Sequence, residues 1–296
     1  MAVVVAVSGG PGINAGFPFS IEDFYPPPAP QLAPMTRSAH HVQLYVALIC
    51  FSFSALSLHG QKLGPGAQTP SQPPDREVSW RRLPMNFLHD QENIWLFPRE
   101  LAKGHDWLPT VAIAGITAGL VALDPHDAPD FRRTATFDDF NGAFSGKNTA
   151  LEMALVPTML YAIGLARRDS YGEKTALFAG EAVLDSTVLE VAMKAVSHRL
   201  RPSDIAPSGD FSDTFFRSHK PFSSSFPSGH TIEAFSIATV LARRYRSHHW
   251  VPWVAYGVAG VIGFSRITLQ SHFPSDVFLG AALGYSVSRF VVLGGH

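Results

Sequence analysis

The sequence predicts an all-α protein, a helical bundle of about six core helices. Three observations carry that expectation. Segments 108–123, 149–166, 175–197, 230–245, 251–266 and 276–292 are rich in Ala, Leu and Val at helical spacing, with few breakers inside. No alternating strand pattern competes with them. Pro and Gly punctuate the gaps between them.

Composition narrows the function classes. Hydrophobic residues make up 46% and charged residues 16% of 296, against about 25% charged in ordinary soluble domains. The body is therefore not intrinsically disordered. The 23 basic and 24 acidic side chains leave a net charge of -1, which argues against a nucleic-acid partner. Mean hydropathy is only +0.09, so the chain is not uniformly lipid-soluble. A single cysteine, Cys50, excludes an intramolecular disulfide and any cysteine-built zinc or iron–sulfur site. Thirteen histidines direct attention to imidazole chemistry.

The elements follow in chain order. Residues 1–34 read as a tail or a mis-assigned start, broken by Gly9-Gly10-Pro11-Gly12 and Pro26-Pro27-Pro28. Residues 35–57 run from the basic Met35-Thr36-Arg37 through the apolar stretch Leu44 to Phe53 to Ala55-Leu56-Ser57. That order is the order of a secretory signal peptide, with Met35 as initiator; an N-terminal membrane anchor is the alternative. Residues 58–107 hold a Gly/Pro/Gln/Ser linker at 61–79 and a short amphipathic element from Asp90 to Leu101. Residues 108–293 form one helical domain, with no internal repeat.

Whether those helices cross a membrane is finely balanced. A span needs about 20 apolar residues, and the first and fifth segments are shorter. The third carries Glu181, Asp185, Glu190 and Lys194, and intramembrane charge is costly. On the other side, Arg167, Arg168 and Lys174 fill one gap and Arg243, Arg244 and Arg246 another, a positive-inside pattern. A cleaved signal and a cytoplasmic arginine side cannot both hold with six spans. The expectation is an exported protein of the cell envelope, periplasmic and soluble or peripheral, ahead of an integral membrane one.

Three segments at helix ends carry chemistry: Lys194 to Pro202, Pro227-Ser228-Gly229-His230, and Ser265 to Asp276. Lys194, Arg201 and Arg266 supply cations, Arg for bidentate oxyanion recognition and Lys as a point charge. Ser228 and Gly229 precede the fourth helix, whose first N–H groups and dipole favour phosphate. Pro274 suits the first turn of the sixth helix and places Asp276 in that turn. From there a carboxylate can orient the His272 imidazole and stabilise its cation. His230 is a second imidazole, so one ring can attack phosphorus while the other donates a proton.

In this order and spacing the segments resemble the type 2 phosphatidic acid phosphatase superfamily, shared with bacterial class A acid phosphatases and vanadium haloperoxidases. The pattern Lys-x6-Arg-Pro, Pro-Ser-Gly-His and Ser-Arg-x5-His-x3-Asp is matched without substitution. The resemblance spans about 190 to 290 by motif and says nothing of residues 1–100. It implies phosphate binding by Lys194, Arg201, Ser228, Gly229 and Arg266. It further implies a His272 nucleophile oriented by Asp276, with His230 as acid and then base. It implies no metal and no cofactor, and a substrate that is a phosphorylated lipid or a small phosphate ester. The implied activity is metal-independent hydrolysis of a phosphate monoester or pyrophosphate, of a lipid such as phosphatidic acid, through a phosphohistidine. A soluble acid phosphatase or a vanadium-dependent haloperoxidase are the alternatives.

Other polar groups receive plainer expectations. Asp138-Asp139 reads as a solvated turn. Glu181 and Asp185 share a helix face and read as exposed. Ser223, Ser224 and Ser225 read as a flexible approach to the site. Phe215, Phe216, Phe222 and Phe226 read as packing against the bundle.

Overall fold

A computed structural model describes residues 76–133, 137–144, 146–206, 208–219 and 223–294. The tail, the signal-like segment, Cys50 and most of the linker lie outside the described residues.

Among the described residues the fold is all-helical. Helix α1 spans Leu83–Ala102, α2 Trp107–Arg133, α3 Asp138–Ala143, α4 Gly146–Arg167 and α5 Ser170–Ser197. A short 3-10 turn covers Pro202–Asp204. Then come α6 Gly229–Arg244, α7 Trp250–Thr268 and α8 Pro274–Ser286, the last continued by a π-helical turn over Val287–Val292. All six expected helices are present. Two elements run longer than the sequence suggested. Helix α1 starts at Leu83, where Pro84 occupies the first turn and needs no N–H partner. Helix α2 continues past Pro125 and Pro129. Each proline forfeits a helical hydrogen bond, yet Asp124 and Ala128 on that stretch are buried.

The bundle is organised around α6. Nearly its whole circumference is buried, from Thr231 and Ile232 to Leu241 and Ala242, and it packs against α4, α5, α7 and α8. Ile237, Leu241, Val251, Ala255, Ala259 and Ile262 form the main core with Met153 and Leu160 of α4. Each large side chain buried there contributes about 1.5–3 kcal/mol. Helix α8 meets α6 backbone to backbone. A Cβ on Gly280 would come within 2.7 Å of the Ser228 carbonyl oxygen, and one on Gly284 within 2.3 Å of that of Ile232. Only glycine permits this approach. Helix α5 is started by Asp169, whose carboxylate accepts from the N–H groups of Tyr171 and Gly172 at 3.0 and 3.1 Å, a cap worth about 1 kcal/mol.

Glu181 and Asp185 are not exposed, contrary to the sequence reading. Both are buried on α5, with Asp90 of α1 beside them. Arg76 closes the cluster, donating to Asp90 at 2.5 and 2.8 Å and pairing with Glu181 at 2.8 Å. Gln91 donates to Asp185 at 2.9 Å. Burial, with the Asp90 and Glu181 charges, pushes Asp185 up to about 8 against that hydrogen bond. These carboxylates tie α1 to α5.

Helix α2 differs from the rest. Among the described residues it alone is long and apolar enough to cross a membrane, over Trp107–Phe131 with a mean hydropathy of 1.5. Trp107, Leu108, Val111, Ile116 and Leu123 on it are exposed. Arg244, counted above as a topogenic charge, is instead buried. Its Nε donates to Thr175 at 2.7 Å and its guanidinium stacks on Tyr171.

Candidate active site

The site lies where three helix ends meet: the C-terminus of α5, the N-terminus of α6, and the α7–α8 connection. His198 ends α5 in the left-handed conformation, with φ of 42°. This turn sends Arg199 inward, where it is 1% exposed. Arg199 donates to Asp276 at 2.6 Å, to Asp124 of α2 at 2.6 Å and to Ser275 at 2.7 Å. Phe273 and Phe215 cover its guanidinium at 4.1 and 4.5 Å.

Asp276 falls in the first turn of α8 behind Pro274, as the sequence predicts. Besides Arg199 it accepts from the Ser225 hydroxyl and, at 2.8 Å, from the Phe273 N–H. Burial opposes its charge, but Arg199, His272 and Ser225 outweigh burial and hold the carboxyl below the ordinary range.

His272 is 2% exposed. Its Nδ1 lies 2.7 Å from the Ser225 carbonyl oxygen. A carbonyl only accepts, so Nδ1 carries the proton and Nε2 bears the lone pair in the neutral ring. Asp276 stands 3.7 Å from Nδ1, an ion-pair distance and not a hydrogen bond. The carboxylate therefore acts on the ring by charge, and Ser225 fixes the ring. Burial, with the Lys194 and Arg201 charges, lowers the His272 pKa, and Asp276 opposes that shift.

The other predicted residues surround this pair. Ser228 precedes α6 and makes no side-chain cap; its hydroxyl meets Thr231 at 2.8 Å instead. Its N–H donates to the Asp276 carbonyl at 3.1 Å, locking the α6 start to the α8 start. Gly229 and His230 open α6, with His230 half-buried. Lys194 pairs with Glu190 at 2.5 Å. Arg201 donates through Nε to the Ser223 carbonyl at 3.3 Å. Arg266, in the last turn of α7, is 1% exposed. It donates to the Phe144 carbonyl at 2.5 Å and to Ser265, and its own carbonyl accepts from the His272 N–H at 3.2 Å.

Sequence reasoning missed Arg199, Asp124, Ser225 and Glu190. The serine stretch was read as flexible; in the structure Ser224 and Ser225 are buried. Ser224 accepts from the Arg199 N–H at 2.9 Å. Phe215 packs as expected, whereas Phe216 is exposed and Phe222 lies outside the described residues. The side chains of Asp138 and Asp139 also lie outside them.

The arrangement sets a neutral, desolvated imidazole beside cations and an uncapped helix start. Residues 175–295 match the PAP2 superfamily. The resemblance read from the three motifs holds over that stretch, which contains every predicted site residue. Among curated relatives, the lipid A 1-phosphatase of Porphyromonas gingivalis is 44% identical over 66 residues, 22% of this chain and 15% of that protein. The lipid A 1-phosphatase of Rhizobium etli is 38% identical over 105 residues, 34% of this chain and 42% of that one. The lipid A 4'-phosphatase of Porphyromonas gingivalis is 31% identical over 123 residues, 40% and 51% of the two. The chain thus spans between 15% and 51% of the length of these relatives. A crystal structure of a transmembrane PAP2-type phosphatidylglycerolphosphate phosphatase from Bacillus subtilis is 21% identical. It covers 72% of this chain and 94% of that one, with a TM-score of 0.36.

Proposed function

We propose that the protein is a metal-independent phosphatase acting on a phosphate monoester or pyrophosphate of a lipid at the cell-envelope membrane, through a phosphohistidine. The observation that carries the reading is the His272 ring. Its Nδ1 proton is committed to Ser225, which leaves Nε2 as a nucleophile in a buried setting.

In the first step Nε2 attacks phosphorus, the N–P bond forms, and the ester P–O bond breaks. His230 gives its proton to the leaving alkoxide. In the second step His230 takes a proton from water, whose oxygen attacks phosphorus while the N–P bond breaks, releasing phosphate and restoring the neutral His272 ring. Lys194, Arg201 and Arg266 neutralise the phosphoryl oxygens. Ser228 and the first N–H groups of α6 complete the cradle. Asp276 stabilises the cationic ring that the first step creates.

Two observations support a lipid substrate. Helix α2 presents an exposed apolar length suited to a bilayer, and the curated relatives are named for lipid phosphates. Phosphate release by purified protein in chelator tests the reading, with phosphatidic acid, a phosphorylated glycolipid and a soluble aryl phosphate as substrates and His272→Ala as control. Release from a lipid well above the aryl ester, lost in the variant, is the expected result. Release from the aryl ester alone would point to a soluble acid phosphatase. Vanadate-dependent halide oxidation without phosphate release would make it a haloperoxidase.

A further inference from the structure

Glu190 sits at the phosphate cradle without a role in the two steps above. It precedes Lys194 by one turn of α5, and its carboxylate holds the Lys194 ammonium at 2.5 Å. An ordinary pair at this spacing lies on a solvated helix face. Here the two side chains are only 10% and 11% exposed, so water screens them little.

The same carboxylate also reaches across to another helix. A Cβ on Gly229 would lie 2.1 Å from Glu190 Oε1 and 2.5 Å from its carboxyl carbon. The carboxylate is therefore packed against the first residue of α6, at the end whose dipole favours an anion. A second carboxyl, Glu233, lies one turn further along α6. Burial and the Glu190 charge, against Lys194, push it up to about 7.

We infer that Glu190 is an internal counter-ion of the cradle, competing with the substrate's phosphoryl group for Lys194 and for the α6 start, and so setting how tightly the site holds phosphate. This rests on the phosphate-cradle reading proposed above. The ligand class is a tetrahedral oxyanion with two negative charges. To engage Lys194 it must share the ammonium with Glu190, or displace the carboxylate. The expected benefit is release of product, since inorganic phosphate has no remote group to add affinity.

The test is calorimetric titration of inorganic phosphate into the full chain, beside kcat and KM on a soluble aryl phosphate. Wild type, Glu190→Gln and Glu190→Met are compared, with Glu190→Asp as the conservative control. The neutral variants should bind phosphate about three- to tenfold tighter and lower KM by a similar factor, because one little-screened anion that repels the ligand is removed. kcat should fall through slower product release, and Glu190→Asp should stay near wild type. Glu190→Met keeps the length of the stem and serves should Glu190→Gln not fold. Unchanged or weakened phosphate binding in the folded neutral variants overturns the inference, as does phosphate binding by none of the proteins. Failure of the phosphatase reading would look different: wild type would bind phosphate without releasing any from an ester.

Discussion

Arg199 and Asp276 are joined by a fully buried ion pair of 2.6 Å across 77 residues of chain. The same guanidinium holds Asp124 of α2 at 2.6 Å. One cation thus carries two buried carboxylates, and the aromatic faces of Phe215 and Phe273 exclude water from it. The pair fixes Asp276 beside His272.

Removing Arg199 strands both carboxylates. Arg199→Ala is expected to destabilise the fold by about 3–5 kcal/mol, the cost of leaving a buried charge uncompensated. Arg199→Lys keeps the charge but cannot fork to Asp276, Asp124 and Ser275 together, so its loss should be intermediate. Denaturant midpoints read the stability. Equal stability of all three proteins would show that the carboxylates are neutral without Arg199.

His230→Ala should separate substrates by leaving group. An alkyl phosphate needs a proton on its departing oxygen, and loss of a general acid costs about 10²–10⁴ in rate. A nitrophenyl phosphate leaves as a stable phenolate and should keep far more activity. The ratio of kcat/KM values on the two esters measures this. An unchanged ratio would rule out the acid role.

Two groups of the site make stability depend on pH in the same sense. His272 has a lowered pKa in the folded state, so between that value and about 6.5 the unfolded chain binds more protons. The carboxyl of Asp276 is also lowered, and its contribution is present above about 3.9 and lost below it. These two groups each make acidification destabilising, His272 below about pH 6.5 and Asp276 below about pH 3.9. Asp185 and Glu233, pushed up to about 8 and about 7, take up protons on folding and act in the opposite direction. The His272 contribution is therefore read as the difference between wild type and His272→Ala. His272→Ala should remove the contribution below about pH 6.5 and weaken that of Asp276, whose lowered pKa depends in part on the His272 ring. With the neutral ring as the proposed nucleophile, the acid limb of kcat/KM should fall below the ordinary histidine value.

The exposed face of α2 should hold the protein in lipid. Ile116 is half exposed in the middle of the apolar stretch. Ile116→Lys is expected to reduce retention in vesicles by up to about 2.5–3.5 kcal/mol, the insertion cost of a central charge. Glu92→Lys, on the exposed side of α1, is the control. Equal flotation of the two variants would show that α2 does not enter the bilayer.

The candidate site was legible because its members stand at helix ends beside Pro and Gly, where chain punctuation and reactive side chains coincide. Pro274 and Asp276 are the plainest case: the proline fixes the first turn and so fixes the carboxylate. Ser225 gave no such signal. It lies among serines that read as a loop, and its importance comes from bonding Asp276 with its hydroxyl and His272 with its carbonyl. Glu181 and Asp185 were misread for a related reason. Their spacing on α5 is visible, but the Arg76 that makes burial tolerable lies far upstream and is brought in by α1. Local pattern reports which face a side chain shares, and only tertiary pairing decides whether water reaches it.

The glycine approach of α8 to α6 has a practical consequence. The distance between the Asp276 end and the Gly229 end is gauged by main chain, through Gly280, Gly284 and the Ser228-to-Asp276 hydrogen bond. The His272 side chain hangs from this frame without setting that distance. On the proposed phosphatase reading, a His272→Ala protein should therefore keep the dimensions of the wild type, and could serve as a trap in which an intact substrate is held and identified.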